Sequence, residues 1–147
     1  MLRRAGQPYD LEIGHGGTQV HYLATGPATG AEFGLYCWDF TEPPSGPDPH
    51  LHKTMSESFY ILSGTVRLYD GRRWDDAGPG DFLLVPEGGT HGFRNESGEP
   101  ASMLLLFAPG APREEYFESL AEWALTGHRP SAEERAEFLL RHDAYWL

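Results

Sequence analysis

Between Thr18 and Phe107 the chain alternates short apolar runs with glycine and proline turns, a pattern of many short strands rather than helices. Thr18–Thr25 (TQVHYLAT) reads as a first strand, Gly26–Gly30 as a turn and Glu32–Phe40 (EFGLYCWDF) as a longer strand. In that strand a period of two places Tyr36, Trp38 and Phe40 on one face and Leu35, Cys37 and Asp39 on the other. The aromatic face either fills a core or lines a pocket. The proline-rich loop Thr41–Pro49 delivers His50 in extended conformation, because residues before proline are driven away from the helical region. Ser58–Leu62 and Thr65–Tyr69 form a hairpin about Ser63-Gly64, and Asp70-Gly71 marks a second hairpin into Arg72–Asp76. Phe82–Val85 (FLLV) is apolar at every position, which predicts cover on both faces. His91–Asn95 and Ala101–Phe107 are the last strands.

The period then changes. In Arg113–Leu125, Tyr116, Phe117, Leu120, Trp123 and Ala124 fall on one helical stripe, with Pro112 suited to the first turn and Gly127 to the end. Ser131 and Glu134 form a capping box that opens a second helix reaching about His142, anchored by Phe138 and Leu139 or Leu140. The expectation is one domain of 147 residues: an N-terminal arm over 1–17, a β-barrel over 18–107 and C-terminal helices over 112–142. The arm is expected to pair with a sheet edge or with a second subunit.

Charge and cysteine content narrow the function classes. A formal net charge of −11 repels phosphate backbones and anionic membrane surfaces, so neither nucleic acid nor membrane is an expected partner. Cys37 is alone, so no intrachain disulfide is possible and a reducing, cytoplasmic setting fits. Met1–Asp10 has arginines but no apolar segment after them, unlike a secretory signal. The arm, apolar outer strand positions and open sheet edges make a homodimer the expected assembly.

The chemistry concentrates in His50–Asn95. His50 and His52 are two apart on a strand and so share a face; Glu57 can open the next strand after a turn; His91 arrives from a third strand. Three imidazoles and one carboxylate suit a single divalent transition metal: Fe2+, Mn2+, Co2+, Ni2+, Cu2+ or Zn2+. Glu57 has two candidate roles, ligand alone or ligand and general base. His15, His21, His128 and His142 lack partner spacing and read as surface or packing histidines. Phe59 and Ile61 share parity with Glu57, and Phe93 with His91. With Tyr36, Trp38, Met103 and Leu105 they are the candidate substrate-binding wall.

Residues 46–64 (GPDPHLHKTMSESFYILSG) resemble the first cupin motif, a glycine before H-x-H, then a glutamate, then a glycine. Residues 80–95 (GDFLLVPEGGTHGFRN) match the second, G-x5-P-x-G-x2-H-x3-N, at every specified position. Gly46 lies closer to His50 than the usual pattern. The resemblance implies an all-β double-stranded β-helix, or jelly-roll barrel, with a C-terminal helical segment. It makes His50, His52, Glu57 and His91 the metal ligands, Pro86 and the glycines structural, and Asn95 a support of the second motif's strand. The helical segment resembles that of small quercetin dioxygenase-like cupins. Cupins span dioxygenases, isomerases, decarboxylases, polyketide cyclases, sugar epimerases and non-catalytic binders, and fold does not choose among them. An apolar wall around one metal suits a flavonol-, diketone- or aromatic polyketide-like substrate. The expectation is therefore a dioxygenase-type oxidoreductase, with an oxygen-independent cyclase or isomerase, or a small-molecule-binding cupin, as alternatives.

Overall fold

A computed structural model describes all residues from Met1 to Leu147. Eleven strands and two helices follow in order: β1 (Leu11–Ile13), β2 (Thr18–Ala24), β3 (Gly34–Phe40), β4 (His50–Leu51), β5 (Ser56–Ser63), β6 (Val66–Tyr69), β7 (Trp74–Ala77), β8 (Phe82–Val85), β9 (Gly92–Arg94), β10 (Ala101–Ala108), α1 (Glu114–Thr126), α2 (Ala132–Arg141) and β11 (Tyr145–Trp146). A six-stranded sheet, β1-β2-β3-β10-β5-β8, faces a three-stranded sheet, β7-β6-β9, and β11 pairs with β4. All pairings are antiparallel. No helix is long and apolar enough to cross a membrane.

Register puts the barrel's apolar side chains in one place. Tyr36 stands opposite Leu105 and Leu105 opposite Phe59; Trp38 stands opposite Met103 and Met103 opposite Ile61. All alternate inward, and burying each large side chain contributes about 1.5–3 kcal/mol. Glu57 pairs with Phe107 on this same inward face, so the barrel carries one carboxylate into an otherwise apolar interior. The alternation expected in β3 is present, with Tyr36, Trp38 and Phe40 buried.

β8 departs from its expected double cover. Leu83 and Val85 turn inward, while Phe82 and Leu84 are 62% and 57% exposed. β8 is the sheet's edge and no other element of the chain packs on its outer side. Tyr60 and Leu62 on neighbouring β5 extend the exposed apolar strip.

The N-terminal arm uses its own chain: β1 pairs with β2. In α1, Tyr116 and Phe117 are buried, whereas Ala124 is exposed and Ala121 takes the inward position. Phe117 sets its ring edge-on to Tyr36 and Trp38, at centroid distances of 5.3 and 5.1 Å, and roofs the barrel. Ser131 and Glu134 form the expected capping box, and Phe138 of α2 packs on Tyr116 and Trp123. The chain then turns through Asp143, at φ 50°, and returns across the barrel mouth as β11, an element with no sequence signal.

Gly46 carries a constraint of its own. Its φ is 144°, and a Cβ there would lie 2.0 Å from the Phe93 carbonyl oxygen. Gly46→Ala is therefore expected to destabilise the protein by more than about 1 kcal/mol, seen as a lower midpoint in urea. An unchanged midpoint would show that the 41–49 loop yields freely.

Candidate metal centre

One ligand atom each from His50, His52, Glu57 and His91 lie within 4.8 Å of one another, and all four side chains are buried. The backbone aims each imidazole. His50 Nδ1 donates to the Asp48 carbonyl (2.8 Å), His91 Nδ1 to that of Gly89 (3.0 Å) and His52 Nδ1 to that of Asp143 (2.6 Å). Two of these acceptors are local. Asp48 belongs to the PDPH approach, and Gly89 to a turn in which Gly89 N–H donates to the Pro86 carbonyl. Gly88 N–H also donates to the His52 carbonyl, tying the second motif to the first. The third acceptor lies 91 residues beyond its histidine.

A carbonyl accepts only, so each Nδ1 must carry hydrogen and each neutral Nε2 presents a lone pair to the centre. Glu57 Oε2 lies 2.6 Å from His91 Nε2 and 3.1 Å from His52 Nε2. Hydrogen bonding at both contacts would require two imidazolium rings side by side, buried, with His50 against them. A divalent cation removes the conflict, because four lone-pair donors then converge on it. The donor set thus fits a metal. In the charge balance of the side chains alone, burial lowers the His50 pKa to about 4, and His91 adds to the effect. Burial opposes ionisation of Glu57, but the His91 and His52 imidazoles outweigh it and hold the carboxyl well below its ordinary range. Burial likewise opposes charge on His91, yet the Glu57 carboxylate raises its pKa.

Above the cluster lies a cavity of about 260 Å3. Trp38, Phe93 and Leu105 of the expected wall line it, beside His50, His52 and Glu57. Tyr36, Phe59, Ile61 and Met103 are fully buried core residues outside its lining. Tyr36 instead donates its hydroxyl to Glu114 at 2.7 Å. Parity put these four on the correct face, but the cavity opens only toward one end of that face. The remaining wall comes from elsewhere: Ile13 from β1, Ser45–Pro47 from the loop, Phe107 from β10, Tyr116, Phe117 and Leu120 from α1, and Arg113 and Trp146. Trp146 stacks on the His50 ring at 5.0 Å. One signal for Arg113 was present in the sequence: an arginine at the positive end of a helix opposes the helix dipole and calls for another reason to be there.

Asn95 is wholly buried and has the expected supporting role. Its Nδ2 donates to the Glu99 carbonyl, and its Oδ1 accepts from Ser97 N–H and Oγ–H, closing the turn before β10. His142 is also buried; its main-chain carbonyl accepts from Arg113 Nη1.

Residues 38–107 match the Cupin domain family, and they contain the ligand cluster and most of the barrel. Residues 38–107 form a cupin domain. Over 122 residues the cupin is 31% identical to quercetin 2,3-dioxygenase of Bacillus subtilis, an alignment covering 78% of this chain and 35% of that protein. An uncharacterized protein of Aquifex aeolicus is 33% identical over 61 residues, 42% of this chain and 50% of that one. The chain thus aligns with half or less of the length of these curated relatives. Among solved structures, a predicted oxalate decarboxylase of Thermotoga maritima superposes with a TM-score of 0.64 at 18% identity, covering 74% of this chain and 98% of that one. The polyketide cyclase RemF of Streptomyces resistomycificus gives 0.60 at 25% identity, covering 76% and 82%. Related cupins are thus enzymes of varied types.

Proposed function

We propose that this cupin is a metal-dependent enzyme of dioxygenase type, acting on a small, largely apolar, oxygenated substrate. One observation carries the reading: three backbone-aimed imidazoles and one carboxylate converge at the floor of a largely apolar cavity. His50, His52, Glu57 and His91 would hold the metal, which when bound supplies a Lewis acid or a site for dioxygen. Trp38, Phe93, Phe107 and Phe117 exclude water and offer flat faces to a planar substrate. Glu57 is assigned first to ligation, because its carboxylate converges with the three imidazole lone pairs and a carboxylate held on a cation is a weaker base. Similarity to quercetin 2,3-dioxygenase over most of this chain supports the dioxygenase reading. Similarity to the polyketide cyclase RemF across most of both chains supports a second, oxygen-independent cyclisation.

The test is oxygen uptake by metal-loaded protein given a flavonol or a 1,3-diketone. Uptake that needs both metal and substrate is the expected outcome. Product formed equally well without oxygen would replace the first reading by the second. Tight binding with no product under either condition would leave a binding protein.

A further inference from the structure

We propose that Arg113 recognises an anionic oxygen of the substrate, a carboxylate or enolate, from the wall of the metal cavity. Arg113 is 1% exposed and lines the cavity. The chain's other ion-paired arginines meet carboxylates near the surface, but no carboxylate pairs with this guanidinium. Nη1 donates to the His142 carbonyl, while Nε is buried without a partner. A second donor on the same wall, Trp146 Nε1, is also buried, with the Tyr116 hydroxyl beside it. The guanidinium lies 4.3 Å from the Tyr116 ring centre and 5.3 Å from that of Phe107. The Phe107 ring in turn stands 6.0 Å from His52, so one aromatic side chain separates the guanidinium from a metal-site imidazole.

Burying a cation without a paired anion is costly, and cation–π contacts with the Tyr116, Phe107 and Phe117 rings offset only part of that. Charge counting gives the same direction. Three neutral imidazoles, one carboxylate and a divalent metal sum to one positive charge, and Arg113 makes two, in a cavity walled by aromatic side chains. A neutral substrate brings no anion to either, and the cavity wall has none besides Glu57. A substrate with an anionic oxygen compensates them and accepts from the idle N–H groups. Among apolar oxygenated compounds this selects those that carry an acid or readily lose an enol proton. The inference deepens the proposed enzymatic reading and rests on it for the metal, though not for the guanidinium.

The probes are benzoate and its neutral isostere benzamide, titrated calorimetrically into zinc-loaded and metal-free protein. Wild type is expected to prefer benzoate by at least about tenfold in both forms. Arg113→Gln should erase the preference in the metal-free protein and reduce it in the zinc-loaded one while zinc per chain holds, and Arg113→Lys should retain part of it. Equal affinity for the two probes in wild type, or an undiminished preference in Arg113→Gln, overturns the proposal. Should both variants fail to fold, a crystal structure of wild type with benzoate decides. A carboxylate on the guanidinium upholds the assignment, and one seated only elsewhere defeats it. Failure of the metal reading looks different: wild type would hold no zinc yet keep its Arg113-dependent benzoate preference.

Discussion

His52→Ala and His91→Ala should each emerge from purification without stoichiometric metal and bind added zinc at least about 100-fold more weakly than wild type. The magnitude follows from what each imidazole does. Residues that merely orient a ligand are typically worth about 10–100-fold in metal affinity, and a ligand should exceed that. The loss would not be repaired by a neighbour, because backbone carbonyls fix the remaining rings and the cavity wall supplies no further carboxylate or imidazole. His91→Ala has a second consequence in the metal-free protein. It strips Glu57 of its 2.6 Å partner and leaves a buried carboxylate with His52 alone, which costs stability on the order of 3–5 kcal/mol. Metal per chain after dialysis, competition titration and urea denaturation measure these effects. Wild-type occupancy in both variants would remove the metal assignment altogether.

The next largest effect is expected at the other end of the chain. Asp143→Ala should weaken metal binding about tenfold although Asp143 is not among the four grouped donors. Its carboxylate accepts from Lys53 N–H, Thr54 N–H and the Thr54 hydroxyl at 2.9, 2.9 and 2.7 Å, which clamps the turn after β4. Its carbonyl holds His52 Nδ1. Alanine removes the clamp and also resists the φ of 50°, so the carbonyl loses its placement. Deleting residues 143–147 goes further, removing the β11 pairing and the Trp146 stack on His50, and should approach a 100-fold loss. The sheets' own core residues are kept by both changes and the truncation removes only Ala144 from the buried cluster, so circular dichroism should still report a folded β protein. Asp143→Asn keeps the backbone conformation and should fall between Ala and wild type. A truncated protein with unchanged zinc affinity would show that the local turns alone suffice.

The site was legible where its causes are local. His50 and His52 share a strand face by simple parity, Glu57 opens β5 and Pro86–Thr90 turns His91 inward, all within one stretch of chain. The helices were legible through the capping box at Ser131 and the stripe carrying Tyr116 and Phe117. What could not be read depended on distance in sequence. Parity places Phe59 and Trp38 alike on an inward face, and only the docking of α1 decides which of them meets a cavity. The two-residue β11 has no periodicity to detect, since Tyr145 and Trp146 are held by β4 and not by their own pattern. Phe82–Val85 misled for a related reason: an all-apolar run implies cover, but cover is a property of what lies opposite, and β8 lies at an edge.

The successive carbonyls of His142 and Asp143 hold Arg113 and His52 respectively, and so one turn of backbone serves both the cavity wall and the ligand cluster. The acceptors at Asp48 and Gly89 are in place once their own turns form. The acceptor for His52 closes a loop of some ninety residues that includes both helices, a closure whose entropic cost exceeds that of the two local turns. A chain lacking its last turn would keep two backbone-aimed imidazoles and lose the acceptor of the third. Tight capture of a cation is thereby tied to the C-terminal end of the chain as well as to the two motifs.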